Sequence, residues 1–129
     1  MQRFMCKGKI HRATVTEADL DYVGSVTIDR KLMKEANIIP YEMVQIANIR
    51  NAARWKTYAI PGPDGSGQIC LNGPPANLFS VDDLVIILSQ GLMTDEEIEA
   101  MKPRVVFVDG DNEVTSIEEH DLSSEEAEL

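Results

Sequence analysis

Apolar and polar positions alternate over residues 4–11. Phe4, Cys6, Gly8 and Ile10 fall on one side of an extended chain, and Met5, Lys7, Lys9 and His11 on the other. The pattern predicts a strand from which Lys9 and His11 project together, about 7 Å apart by strand rise. Thr16–Leu20 is short and polar and predicts a single helical turn or a loop. Tyr22–Ile28 is again extended and carries the pair Gly24–Ser25. Asp29 reads as an N-cap, followed by a helix whose apolar face is Leu32, Met33 and Ala36. That helix ends near Asn37, before the strand-like Ile38–Ile39 and the breaker Pro40.

Residues 42–49 predict a strand, and Arg50–Ala53 a hairpin turn into a second strand over 54–60. On that second strand Arg54, Lys56 and Tyr58 share one face, while Trp55, Thr57 and Ala59 share the other. Residues 61–67, rich in proline and glycine, form a turn. Gln68–Leu71 is a short strand that stops at the turn Asn72-Gly73-Pro74-Pro75. Leu84–Leu88 is a continuous apolar run and predicts a strand buried on both sides. Thr94-Asp95-Glu96-Glu97 has the form of a capping box opening a short helix, and Val105–Val108 is a last strand. With no internal repeat, six or seven short strands and two or three short helices predict a small, mainly β barrel over residues 1–114.

Charge changes this picture at the C-terminus. The chain of 129 residues carries a formal charge of −10, but residues 1–108 hold 13 acidic and 12 basic side chains, whereas residues 109–129 hold nine acidic and no basic ones. The ordered part is near neutral, and residues 115–129 read as a solvated, disordered tail. Nothing offers a phosphate backbone a basic stripe, so a nucleic-acid ligand is not expected. No apolar run approaches the roughly 20 residues of a membrane span, and the first residues lack the apolar stretch of a secretory signal, so a cytoplasmic protein is expected. Cys6 and Cys70 are the only cysteines. Without CxxC spacing or paired histidines they make no metal site and read as small buried hydrophobes, though the sequence also accommodates a disulfide.

The candidate chemistry centres on Ser25. With two histidines in the chain, His120 in the tail, and no GxSxG elbow, a hydrolase built on Ser25 and His11 is a weak reading. The other route is intramolecular. The hydroxyl of Ser25 attacks the carbonyl of Gly24, which has no side chain to block it, and an ester replaces the peptide. Elimination leaves dehydroalanine, and hydrolysis leaves a pyruvoyl group on a new N-terminus. The tetrahedral intermediate is an oxyanion in need of a donor, for which Thr57 is a candidate.

The motifs Lys9-Ile10-His11-Arg12, Asp19-Leu20-Asp21-Tyr22-Val23-Gly24-Ser25, Arg54-Trp55-Lys56-Thr57-Tyr58-Ala59, Asn72-Gly73, Asp83-Leu84-Val85-Ile86-Ile87 and Gly110-Asp111-Asn112-Glu113 occur in this order. In order and spacing the chain resembles the pyruvoyl-dependent aspartate 1-decarboxylases over roughly residues 3–113. The resemblance implies a double-psi β-barrel, a homotetramer with its active site between neighbouring subunits, and self-cleavage into chains 1–24 and 25–129. It also implies conversion of L-aspartate to β-alanine and CO2 for pantothenate and coenzyme A synthesis. Residue 25, as a pyruvoyl group, forms a Schiff base with the substrate amine and accepts the electrons released on decarboxylation, with no pyridoxal phosphate and no metal.

The resemblance likewise assigns the pocket. Lys9 and Arg54 match partners of the substrate carboxylates, the guanidinium suiting a two-point grip. Tyr58 matches the proton donor. Thr57 matches a residue of processing and substrate contact, Asn72 a residue that holds the processing site, and Gly73, Pro74 and Pro75 the substrate loop. His11 matches a pocket residue, as a polar contact or proton handler, and the resemblance makes Tyr22 a further candidate. The family's turn usually carries two alanines where this chain has Pro74–Pro75, which offer no N–H, and an aromatic residue where it has Ala47. A non-catalytic relative of the same barrel, serving as a binding or assembly module, is the alternative. Maturation unaided and maturation with a helper protein both fit the sequence.

Overall fold

The computed structural model describes residues 1–21, 24–73 and 77–123. Nine strands and two short helices follow one another as β1 (Gln2–Thr14), β2 (Glu17–Asp19), β3 (Ser25–Asp29), α1 (Arg30–Glu35), β4 (Met43–Asn48), β5 (Arg54–Gly62), β6 (Ile69–Asn72), β7 (Leu84–Thr94), α2 (Asp95–Ala100), β8 (Arg104–Val108) and β9 (Val114–Glu119). The strands pair in the order β2-β6-β3-β5-β4-β7-β1-β8-β9. The mainly β expectation holds. The described sheet keeps two edges and is consistent with a small β-barrel. Most neighbours are antiparallel, but β3 runs parallel to β5, β1 to β8 and β2 to β6. Its interior is apolar, with Ile10, Val26, Ile28, Ile46, Ile87 and Val106 wholly buried.

Two glycine-dependent contacts dock α1 and the turn after β5. Gly8 lies against the end of α1 so closely that a Cβ there would stand 1.7 Å from the Ala36 carbonyl oxygen. Asp29 caps α1 by accepting from Lys31 N at 2.9 Å, and its carboxylate also accepts from the backbone N–H groups of Gly65 and Gly67, each at 2.9 Å. Three backbone donors thus stabilise a carboxylate that is itself buried. At its other end α1 closes as a Schellman motif: Asn37 adopts φ 57°, its N–H reaches Lys34 O, and the N–H of Ile38 reaches Met33 O. This corrects the strand-like reading of Ile38–Ile39, because Ile38 is spent on the cap and packs inward while Ile39 is exposed.

Other expectations are corrected by tertiary pairing. Glu17–Asp19 is a strand, paired with Cys70–Asn72, where the polar composition suggested a helical turn or loop. The run from Leu84 extends to Thr94 and is not buried on both sides: Val85, Ile87 and Ser89 face the core while Leu84, Ile86 and Leu88 stay half-exposed. Cys6 is exposed and Cys70 buried, both as free thiols. The alternation on β1 holds from Gly8 to His11; before the register shift between Cys6 and Gly8, Phe4 and Cys6 are exposed rather than on a buried face.

The acidic segment also departs from expectation. Val114–Glu119 is an ordered strand on β8 rather than part of a disordered tail; residues 124–129 lie outside the described part. Arg104 holds both sides of β8, its guanidinium donating to Glu35 Oε2 and to Glu119 Oε2, each at 2.7 Å. The β8–β9 turn is fastened by Asn112, which is buried: Oδ1 accepts from Thr14 N at 2.7 Å, and Nδ2 donates to Thr14 O and Gly67 O. The capping box at α2 is as expected, Thr94 and Glu97 each bonding the other's backbone.

One buried polar knot holds the β4–β5 hairpin to the start of β7. Asp83 accepts a two-point contact from Arg50 (2.8 and 3.0 Å), together with Asn48 Nδ2 and Ser80 N, each at 2.8 Å. The Arg50 hydrogen bonds are the largest cause holding its carboxyl far below the usual range, against the opposing effect of burial.

Two outcomes follow from these contacts. Gly8→Ala forces a methyl into backbone and should cost at least about 2 kcal/mol, read as a drop in the denaturant midpoint. Asp83, with a folded pKa below its ordinary 3.8, contributes full stability above that value and loses it as the pH falls towards the folded one. Thermal midpoints of wild type should therefore fall steeply in acid, whereas Asp83→Asn should start lower at neutral pH and show a shallower acid limb.

Candidate active site

The site is built on the centre of the β2-β6-β3-β5 run. Antiparallel pairing sets Ser25 opposite Asn72 and Thr27 opposite Cys70. Parallel pairing sets Glu17 beside Cys70 and Asp19 beside Asn72. Because side chains alternate, Glu17, Asp19, Cys70, Asn72, Ser25 and Thr27 share one face. On the other side β3 pairs with β5 from Val26↔Ala59 onward. Continuing that register by one residue places Ser25 level with Tyr58, and by two places Gly24 level with Thr57.

Ser25 is buried, 4% exposed, and its Oγ accepts from Asn72 Nδ2 at 3.2 Å. The second Nδ2 hydrogen serves Thr27 Oγ1 at 3.3 Å. At Gly24 a methyl would already touch Trp55, 3.7 Å from its Cζ2 atom, so the indole walls the bond between residues 24 and 25. Trp55 in turn tilts against Phe79, with ring centroids 6.3 Å apart. Thr57 is buried, on the face opposite Tyr58, as the alternation predicts. Tyr58 is half-buried and stacks on exposed Tyr41, at a centroid distance of 5.3 Å and an interplanar angle of 5°.

Gly73 has φ 114°, a conformation that favours glycine, and its N–H donates to Asp19 O at 2.7 Å. Its amide hydrogen is thus committed to holding the loop on β2. Tyr22, Pro74 and Pro75 lie outside the described residues.

Among the described residues no hydrogen bond joins Lys9, His11 or Arg54 to Ser25, whose Oγ partner is Asn72. Arg54 opens β5, four residues from Tyr58, about 13 Å along the strand. It is exposed, and no carboxylate pairs with it among the described residues. Lys9 and His11 share a half-buried face of β1, which β7 and β4 separate from β5 in the pairing order. His11 sits edge-on to Phe107, 5.5 Å between centroids, and its Nδ1 is buried without a partner among the described residues. Burial lowers its pKa, assisted by the charges of Lys9 and Arg12, so the ring is neutral near pH 7.

Sequence reasoning missed Thr27, Cys70, Tyr41 and Glu17. The first two had a signal available, since Ser25-x-Thr27 and Cys70-x-Asn72 are strand spacings that put each pair on one face. Tyr41 and Glu17 had none, because a stack across a loop and a pairing with β6 depend on the folded chain.

The arrangement is a hydroxyl seated beside its own preceding peptide, with an amide donor on its oxygen and hydroxyl-bearing side chains on the next strand. A family model described as aspartate decarboxylase matches residues 1–115. An aspartate 1-decarboxylase from Thermoanaerobacter pseudethanolicus is 57% identical over 112 residues, covering 87% of this chain and 96% of that protein. Aspartate 1-decarboxylases from Moorella thermoacetica (51% identical, 91% of each chain) and Lactiplantibacillus plantarum (54% identical, 95% of this chain and 96% of that one) are similarly close. The chain belongs to the aspartate decarboxylase family.

The neutral state of His11 is directly measurable. In an NMR titration its ring should protonate with a midpoint below the ordinary 6.5; a midpoint at or above that value would contradict the burial of Nδ1.

Proposed function

We propose that this protein is a self-processing aspartate 1-decarboxylase, forming β-alanine and CO2 from L-aspartate for pantothenate and coenzyme A synthesis in the cytoplasm. The observation that carries the reading is the buried Ser25 hydroxyl, held by Asn72 beside a glycine peptide, in a chain of this family. The close curated relatives bear the same activity in their names, and no feature of the site favours the non-catalytic alternative. Among the described residues no helix is long and apolar enough to cross a membrane, and no group of His, Cys, Asp and Glu could hold a metal.

Processing begins as Ser25 Oγ bonds to the Gly24 carbonyl carbon. The C–N bond breaks, the serine proton passes to the departing nitrogen, and an ester replaces the amide. Thr57, buried on β5, donates to the oxygen that becomes negative. Elimination releases the carboxylate of Gly24, and hydrolysis of the resulting dehydroalanine releases ammonia, leaving the pyruvoyl group on chain 25–129. The residues present suit that group: Asn72 and Thr27 supply polar partners on one face, and Trp55 shields the bond on its other side. A pyruvoyl carbonyl supplies capture of the substrate amine and an electron sink for the pair freed with CO2.

The chain's own residues do the remainder. Tyr58, level with residue 25 and steadied by Tyr41, delivers the proton to the substrate carbon. Lys9 and Arg54 neutralise the two carboxylates of aspartate. Gly73, Pro74 and Pro75 form the adjoining loop, with Gly73 shaping the turn rather than lending its amide. Lys9 and His11 lie on β1, which pairs with neither β3 nor its neighbours β5 and β6, and this separation in the pairing order supports a homotetramer in which a neighbouring subunit completes each site.

The test is the intact mass of the purified protein. Wild type should yield chains 1–24 and 25–129, the larger resistant to Edman degradation, while Ser25→Ala stays whole and makes no β-alanine. Tyr58→Phe should cleave normally but lose at least about a hundredfold in turnover; normal β-alanine production would remove Tyr58 as the donor. Active wild type that remains a single chain would overturn the reading.

A further inference from the structure

We propose that Cys70 is a positioning residue for the cleavage at Ser25, its thiol setting the orientation of the Asn72 amide. This rests on the processing reaction just described. Cys70 Sγ lies 3.2 Å from Asn72 Oδ1, and the opposite end of the same amide lies 3.2 Å from Ser25 Oγ and 3.3 Å from Thr27 Oγ1. The two-residue spacing on β6 puts Cys70 and Asn72 on one face, and the β3–β6 register puts both opposite their hydroxyl partners. Cys70 is 5% exposed, so no bulk water competes for the contact.

The orientation matters because an amide has nearly the same shape either way round. Hydroxyls accept or donate, so Ser25 and Thr27 tolerate both settings. The thiol is chiefly a donor; its one hydrogen faces two acceptors, Asn72 Oδ1 at 3.2 Å and Glu17 Oε2 at 3.6 Å, and through the shorter contact it selects the setting with Oδ1 towards it. Burial, and the Glu17 carboxylate 3.6 Å away, push the Cys70 pKa up to about 11, so the thiol keeps its proton at neutral pH. In the selected setting Ser25 Oγ accepts from Nδ2 and retains its own hydrogen for transfer to the departing nitrogen. In the reversed setting the Ser25 hydroxyl would donate to Oδ1, and its proton would be tied up at the moment of attack. Cys70 therefore acts through Asn72.

The experiment follows the rate of appearance of chain 25–129 by intact mass in freshly purified protein. Cys70→Ser keeps a donor, Cys70→Ala removes it, and Cys70→Val removes it while filling the space. Ala and Val should slow cleavage about tenfold or more, the loss expected for one buried hydrogen bond. Ser should remain within about threefold of wild type, and the thermal midpoints of the uncleaved Ser and Val chains should agree. Val serves as the donor-free reading should Ala fold poorly. Cleavage of Val or Ala at the wild-type rate, or Ser slowed as much as Val, would overturn the proposal. A wild-type chain that never cleaves would instead remove the processing reading, and the role of Cys70 with it.

Discussion

The seating of β3 between two unlike neighbours is the constraint on which the site depends. On one side an antiparallel ladder to β6 fixes Ser25 opposite Asn72; on the other a parallel ladder to β5 begins at Val26↔Ala59, and its register extended backwards would bring Thr57 and Tyr58 level with the bond before Ser25. A slip of one residue on either side would turn Ser25 into the core or away from its partners. The apolar residues of β3, Val26 and Ile28, are wholly buried and make such a slip costly. Packing of ordinary β-sheet side chains thereby supplies the positional accuracy that a reacting serine needs.

The remaining polar knots protect this register at a distance. Asp29 fastens α1 to the turn at Gly65–Gly67, directly after the strand that carries Ser25. Asn112 fastens the last turn to the end of β1, and Asp83 binds the hairpin that presents β5. Each is a buried group that ties together segments far apart in sequence: Asp29 and Asn112 through backbone partners, and Asp83 mainly through the side chains of Arg50 and Asn48. Motif residues without any part in chemistry, such as Asp83 and Asn112, gain their meaning here.

Most elements of the fold were legible because periodicity and capping are local. The Asp29 cap, the Thr94–Glu97 box, the hairpin at Arg50–Ala53 and the split of Thr57 from Tyr58 all follow from spacing. The errors have different causes. Glu17–Asp19 takes its conformation from β6, distant in sequence, whereas Ile38 is taken up by the local cap at the end of α1 and Val114–Glu119 by its hairpin with β8. Composition argued against the strand at Val114–Glu119, and pairing outweighed it. At the site, Ser25, Thr57, Tyr58 and Asn72 were legible through the family resemblance, and the structure adds the register that aligns them. Thr27 and Cys70 escaped notice because neither a threonine nor a lone cysteine stands out until its neighbour across the strand is known. Lys9 and His11 were legible as a pair on one face but not in the pairing order that separates β1 from β3.

The position of residue 24 in the topology has a mechanical consequence. Everything before it amounts to β1 and β2, and these are interleaved with the rest: β1 lies between β7 and β8, and β2 borders β6. Ala13 and Val15 near their junction are sealed inside. Severing the backbone after Gly24 would break one covalent link and no ladder. The short piece would stay threaded through the long one, as a strand woven into cloth survives a cut at its end.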